Sequence, residues 1–98
     1  MTRSQISQLF KRGQRLGTTH FGGRMEKQEG GLAVVVIVPK SVSNKATVRN
    51  KLRRKVKGAL GALERAINIT GRVAIVVKKP FTLSFIELKQ ELSQCFKK

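Results

Sequence analysis

Between Lys40 and Lys57 the chain reads KSVSNKATVRNKLRRKVK, eight lysines and arginines with no acid among them. The nearest acids are Glu29 before it and Glu64 after it. A solvated charge run ordinarily carries both signs. The stretch also has a helical period. Val48, Leu52, Val56, Ala59, Leu60, Leu63 and Ile67 recur at three- and four-residue steps and share one stripe of an α-helix. A helix of this kind constrains the whole fold. Its apolar stripe must find a surface to cover it, and its remaining faces must stay open to solvent or to a partner. Lys45, Arg49, Arg53 and Lys57 stand four apart and form a ridge on one flank of the stripe. Asn50 and Arg54 lie further round, and Lys51 and Lys55 return on the opposite flank. Ser43 or Asn44 can cap the helix start by accepting from an orphan backbone N–H.

Like charges four apart repel in an isolated helix. A polyanion offsets that repulsion most directly. Arginine offers phosphate a planar fork, and Asn50 adds a short donor and acceptor for a nucleic-acid backbone or base edge. The rest of the composition agrees. A formal charge of +16 on 98 residues fits nucleic acid first and an anionic membrane second. A hydrophobic content of 40% is enough to fold, and the length suggests one domain, residues 1–98. No apolar run approaches a membrane span, and the N-terminus shows no signal-peptide pattern. The lone Cys95 can close no disulfide within the chain, so a cytoplasmic, reducing setting is expected.

Residues 4–12 read as a short helix, with Ile6, Leu9 and Phe10 on one face, Ser4 or Thr2 as cap and Gly13 as its end. Phe10 is either a core anchor or a ring beside a cleft against which a nucleotide stacks. Residues 18–25, TTHFGGRM, are a weak strand. Its paired glycines Gly22 and Gly23 mark a twist, a bulge or a close backbone approach. Glu26–Gly31 is a turn. Residues 32–38, LAVVVIV, form a buried strand that Pro39 stops. The basic helix then runs to about Ile67 unless Gly58 and Gly61 end it, and Ile67–Gly71 makes a turn. A second buried strand covers 72–78 and breaks at Pro80 and Phe81. Ser84 and Glu87 have capping-box spacing, with Leu83 and Leu88 as a staple. They open a last helix whose inward stripe is Phe85, Leu88, Leu92, Cys95 and Phe96.

Catalytic chemistry is not visible. The five acids, Glu26, Glu29, Glu64, Glu87 and Glu91, form no pair for acid–base or metal work. His20 has no second ligand near it, and the paired glycines open no phosphate-binding loop. The chain alone is expected to catalyse nothing.

The basic stretch resembles the signature helix of the bacterial ribonuclease P protein family, roughly K-A-x-x-R-N-R-x-K-R-x-x-R-E. Lys45, Ala46, Arg49, Asn50 and Arg54 match outright. Lys51, Arg53 and Lys57 keep charge while exchanging Lys and Arg, and Gly58 stands where an acid or amide is usual. The first helix resembles the family's F-x-x-V-F-K-x-G in its I-S-Q-L-F-K-R-G, keeping the second aromatic as Phe10 and replacing the first by Ile6. L-S-F-I-E-L is similar to the family's L-S-Y-E-E-L.

The resemblance implies an α+β sandwich in one small domain. Its order is helix, strand, strand, a possible short strand near Lys40–Val42, basic helix, strand, helix. It implies a left-handed crossover around the basic helix, where strand twist alone favours a right-handed one. It also implies an enzyme that is a ribonucleoprotein, in which an RNA subunit with bound Mg²⁺ removes the 5′ leader of precursor tRNA. No Mg²⁺ would be held by protein side chains alone. Lys40, Lys45, Arg49, Asn50, Lys51, Arg53, Arg54 and Lys57 would then bind the ribonuclease P RNA. Phe10, Phe21 and Arg24 would border a cleft for the leader. No membrane and no obligate protein partner are expected. Two rivals share the charge and size: a structural RNA-binding protein of ribosomal type, and a DNA-binding architectural protein. The second usually needs a dimer interface or a minor-groove arm, and neither is visible.

Overall fold

In the computed structural model, residues 2–27, 30–67 and 70–96 are described. They form three helices and four strands in the order α1 (Arg3–Arg12), β1 (Gln14–Gly17), β2 (Phe21–Glu26), β3 (Leu32–Ile37), α2 (Ala46–Ile67), β4 (Gly71–Val77) and α3 (Phe85–Gln94). The sheet order is β1-β2-β4-β3. β1 pairs antiparallel with β2, and β2 antiparallel with β4. β3 lies parallel to β4 on the far side. Parallel neighbours need a long connection, and α2 is that connection.

Strand alternation sorts the two faces. Leu16, Phe21, Val36, Val73, Ile75 and Val77 share one core with Leu52, Val56, Ala59, Leu60 and Leu63 of α2 and Leu88 and Leu92 of α3. On the opposite face Arg24 pairs with Ala74, and its Nε donates to the Phe10 carbonyl at the end of α1. Thus α1 covers one face and α2 with α3 the other. The α+β architecture follows from that division.

Both short helices are capped as their sequences require. Thr2 and Gln5 form one capping box, Ser84 and Glu87 the other. Gly13 ends α1, donating its N–H to the Leu9 carbonyl at 2.7 Å. α2 runs straight through Gly58 and Gly61. Ser43 serves its start, accepting from the Lys45 N–H at 3.2 Å.

Several expectations need correction. Strand β1 is additional to the predicted set: QRLG buries only Leu16 and has no β-branched residue to announce it. Lys40–Val42 is a turn rather than a short strand, closed by the Val42 N–H on the Pro39 carbonyl. β3 is an edge strand and only half-buried, whereas β4 is the fully enclosed one. Val48 is 38% exposed in the first turn of α2, and Phe85 is 53% exposed, outside the inward stripe of α3. The Ile67 side chain and parts of the Glu26–Gly31 and Ile67–Gly71 turns lie outside the described residues.

α3 is tied to the β1–β2 turn by a polar clasp. Glu91 Oε2 accepts from the Thr18 hydroxyl at 2.8 Å and from the His20 backbone N–H at 2.7 Å; Oε1 lies 2.7 Å from His20 Nδ1. Burial by itself would raise the Glu91 carboxyl. The hydrogen bonds from His20 and Thr18 outweigh it and hold the carboxyl below its ordinary value of 4.5. Burial pushes the neighbouring Cys95 thiol up to about 11, so it stays protonated in the core.

A depressed folded-state pKa means that Glu91 stabilises the fold above its unfolded pKa, and that this contribution is lost as pH falls through the folded value. Glu91→Gln is therefore expected to cost about 1–3 kcal/mol near neutrality, the range for hydrogen bonds to a charged group and for donors left unpaired. The deficit should shrink as pH drops below 4.5. Urea unfolding of both proteins at neutral and acid pH checks this; a difference that does not change with pH contradicts it.

Candidate nucleic-acid interface

Two basic surfaces stand out, one on each side of the sheet. The first is the outer face of α2. Its apolar stripe is fixed in the core, so the turns that carry Lys45, Asn50, Lys51, Arg54, Lys55 and Lys57 project these side chains into solvent. Thr47, Asn50, Lys51, Arg54 and Lys55 line a shallow depression along it. Lys40 is exposed in the turn just before the helix.

The predicted ridge divides in two. Lys45 and Lys57 are free ends, but Arg49 and Arg53 are half-buried. Arg49 Nη1 donates to the Ser43 carbonyl at 3.0 Å, pinning the entry to the helix. Arg53 Nε donates to the Val36 carbonyl on the edge strand β3 at 3.3 Å, and its Nη1 to Asn50 Oδ1 at 2.6 Å. A guanidinium has five N–H donors, so each arginine keeps spare capacity for phosphate. Arg53 also orients Asn50. With its oxygen held, Asn50 presents its amide nitrogen outward as a donor.

The second surface is a groove of about 210 Å³ beside α1, lined among others by Phe10, Arg15, Gly17, Gly22, Arg24 and Lys78. Phe10 is 36% exposed. Both readings of that ring thus hold in part: it belongs to α1's inward side, yet shows a face to the groove. Arg24 is brought here as expected. Phe21 is not. It is fully buried on the other face of the sheet, where its ring meets Phe81 edge-on at 5.3 Å. One-residue alternation explains the miss, because Phe21 and Arg24 are three apart and point to opposite sides. Arg15 and Lys78 were not legible as groove residues. They come from an inconspicuous strand and from the end of β4, 63 positions apart by their numbering.

The glycine pair has two separate explanations. A Cβ on Gly23 would lie 1.8 Å from the Ala74 carbonyl oxygen, and its φ of +146° is a conformation L side chains rarely adopt. Gly23 is thus required by the neighbouring strand. A Cβ on Gly22 would meet nothing closer than Lys78 Cδ at 3.7 Å, so Gly22 keeps the groove floor low without being needed for the backbone.

Among the described residues no helix is long and apolar enough to cross a membrane. No group of three or more His, Cys, Asp or Glu is placed to hold a metal there.

A small mixed sheet between one short helix and a long cationic one defines a class of compact α+β proteins. The model of the ribonuclease P family matches residues 1–98, and the chain belongs to that family. Similar solved structures agree on the fold. The RNase P protein from Thermotoga maritima is 22% identical, with a TM-score of 0.80 over 93% of this chain and 87% of that one. A Staphylococcus aureus RNase P protein mutant is 12% identical, with a TM-score of 0.82 over 98% and 82%. No curated protein sequence matches the chain to a significant degree. Membership gives the chain a role in ribonuclease P, hence in tRNA processing, with the ribonuclease P RNA as partner.

Gly23→Ala is expected to lower the melting temperature by well over 10 °C, since strain of ~1–3 kcal/mol adds to a steric clash and each kcal/mol is worth about 4–8 °C at this size. Gly22→Ala should change it by only a few degrees. Thermal melts of the two variants read the difference directly, and equal melts would contradict the strand-contact explanation.

Proposed function

We propose that the chain is the protein subunit of a ribonuclease P ribonucleoprotein, docking on the RNA subunit through α2 and receiving the 5′ leader of precursor tRNA in the groove beside α1. The observation that carries the reading is the acid-free cationic face of the first half of α2, to Lys57, backed by a fixed apolar stripe. Lys45, Lys51, Arg54 and Lys57 offer charge to phosphates. Arg49 and Arg53 offer their spare donors while fixing the helix entry and Asn50. Lys40 extends the track beyond the helix.

In the groove Arg15, Arg24 and Lys78 supply positive charge for a passing backbone, and Phe10 a ring on which an unpaired base can stack. Gly17 and Gly22 let a strand come close to the sheet. The low floor makes the groove permissive, so leader contacts are expected to depend on backbone and stacking more than on base edges. Cleavage is assigned to the RNA partner, with its Mg²⁺ held by RNA and substrate. No step runs through a metal bound by this chain. A reducing cytoplasm fits the buried, protonated thiol of Cys95.

If about six phosphates are neutralised, log affinity for the RNA subunit should fall against log salt with a slope of roughly −4 to −5. Lys51 and Arg54 have exposed, unengaged ends. Reversing both to Glu should weaken binding strongly and flatten the slope by roughly 1.4 to 1.8, at about 0.7–0.9 per phosphate contact. Filter binding across a salt series measures both quantities; unchanged values would remove α2 as the docking face.

Phe10 is expected to act on substrate choice rather than assembly. Phe10→Leu keeps apolar volume and removes the ring. The reconstituted holoenzyme should lose about 5- to 150-fold of its preference for precursor over mature tRNA, the worth of one base stack. Affinity for the RNA subunit should hold. Binding of both tRNA forms to wild-type and variant holoenzyme decides it, and a fully retained preference would place the leader elsewhere.

A further inference from the structure

The start of α3 carries an apolar surface that the core does not use. Phe85 is 53% exposed and Ile86 65% exposed, the two most exposed large hydrophobic side chains among the described residues. Phe85 is the first residue of α3, directly after the Ser84 cap. It lines a concavity of about 380 Å³ with Leu83, Ser84, Leu88 and Lys55. That volume falls in the range of small-ligand sites, roughly 300–1,000 Å³.

Lys55 belongs to both surfaces. It closes the apolar concavity, and it also walls the cationic depression of Thr47, Asn50, Lys51 and Arg54. The two are therefore one continuous surface, charged along α2 and apolar where it reaches α3. Lys89 adds a second cation, its Nζ 5.3 Å from the Phe85 ring centroid. The nearby carboxylate of Glu87 is engaged at the helix cap, accepting from the Ser84 backbone N–H at 3.1 Å. This surface lies on the α2–α3 side of the sheet, opposite the groove beside α1.

An exposed ring at the end of a cationic track has the parts of a stacking platform for single-stranded nucleic acid: positive charge for the backbone and a π-face for the base. We propose that Phe85 stacks an unpaired nucleotide of the RNA docked on α2, with Lys55 on the adjoining phosphate. α3 is then a second contact element, distinct from the leader groove. A protein partner fits the surface less well, because its apolar part is small and rimmed by Lys55 and Lys89, which a nucleotide's phosphate neutralises. The assignment rests on the reading that α2 binds RNA.

The test uses the full chain and the transcribed ribonuclease P RNA subunit. Phe85→Leu is expected to lower affinity about 5- to 150-fold while leaving the salt slope unchanged, since a stack is lost and no phosphate contact with it. Phe85→Trp should bind as tightly as wild type or more tightly. Lys55→Ala should weaken binding and flatten the slope by roughly 0.7–0.9. If the Lys51/Arg54 reversal weakens binding but Phe85→Leu does not, the stacking assignment falls alone. If the reversal also has no effect, the α2 reading falls with it. Equal losses for Leu and Trp would mean that packing, not stacking, was disturbed. Unchanged RNA affinity with a dimer-to-monomer shift in sedimentation would place a second copy of the chain on Phe85. Either result overturns the proposal.

Discussion

Burial of the α2 stripe against α3 and the sheet is the interaction on which the rest depends. Leu52, Val56, Leu60 and Leu63 are buried against a sheet that presents Val73, Ile75 and Val77. At ~1.5–3 kcal/mol for each large side chain, those four contribute on the order of 6–12 kcal/mol, an upper figure because the unfolded chain is partly compact. The opposing term is repulsion within the helix. Lys45–Arg49, Arg49–Arg53, Arg53–Lys57 and Lys51–Lys55 are like-charged pairs four apart, each worth about 0.2–0.5 kcal/mol. Their sum is several-fold smaller than the burial term. The core can therefore hold a helix whose outer face would be unfavourable in isolation. The stored repulsion then favours whatever polyanion arrives.

The same division explains what could be read from residue order. The stripe of α2, the enclosed strand β4 and the capping box at Ser84 and Glu87 are local patterns, and local patterns survive folding. β1 is different. As an edge strand it has one pairing partner and carries Gln14 and Arg15, the kind of residue that protects an edge from adding further strands. Charge and brevity hid it. β3 looked more enclosed than it is, because a run of valines suits an edge that α2 and Arg53 partly cover as well as it suits a sheet centre.

Site residues show the same limit. The α2 set was legible because one helix carries it. The groove beside α1 was legible only in Phe10 and Arg24, because Arg15 and Lys78 join it through the register of β1, β2 and β4. The division of labour among the arginines was not legible at all. Spacing puts Arg49 and Arg53 on one ridge with Lys45 and Lys57, yet only the two arginines spend donors on backbone carbonyls. The difference lies in where Ser43 and Val36 happen to end, which is a tertiary fact.

Those two arginines also bear on how rigid the proposed docking face is. Arg49 ties the segment before α2 to the helix, and Arg53 ties the helix to the free edge of β3. Both bonds lie at the rim of the core, beside the side chains that face solvent. They fix the angle at which α2 leaves the sheet and the orientation of Asn50. A lysine at either place would preserve charge but could not donate from several nitrogens of a planar group at once. Charge supplies attraction over a distance, and these fixed donors supply its direction. On the proposed reading, in which this face seats a folded RNA in one register, both are needed, which is a physical reason for arginine rather than lysine at the two half-buried positions of an otherwise lysine-rich face.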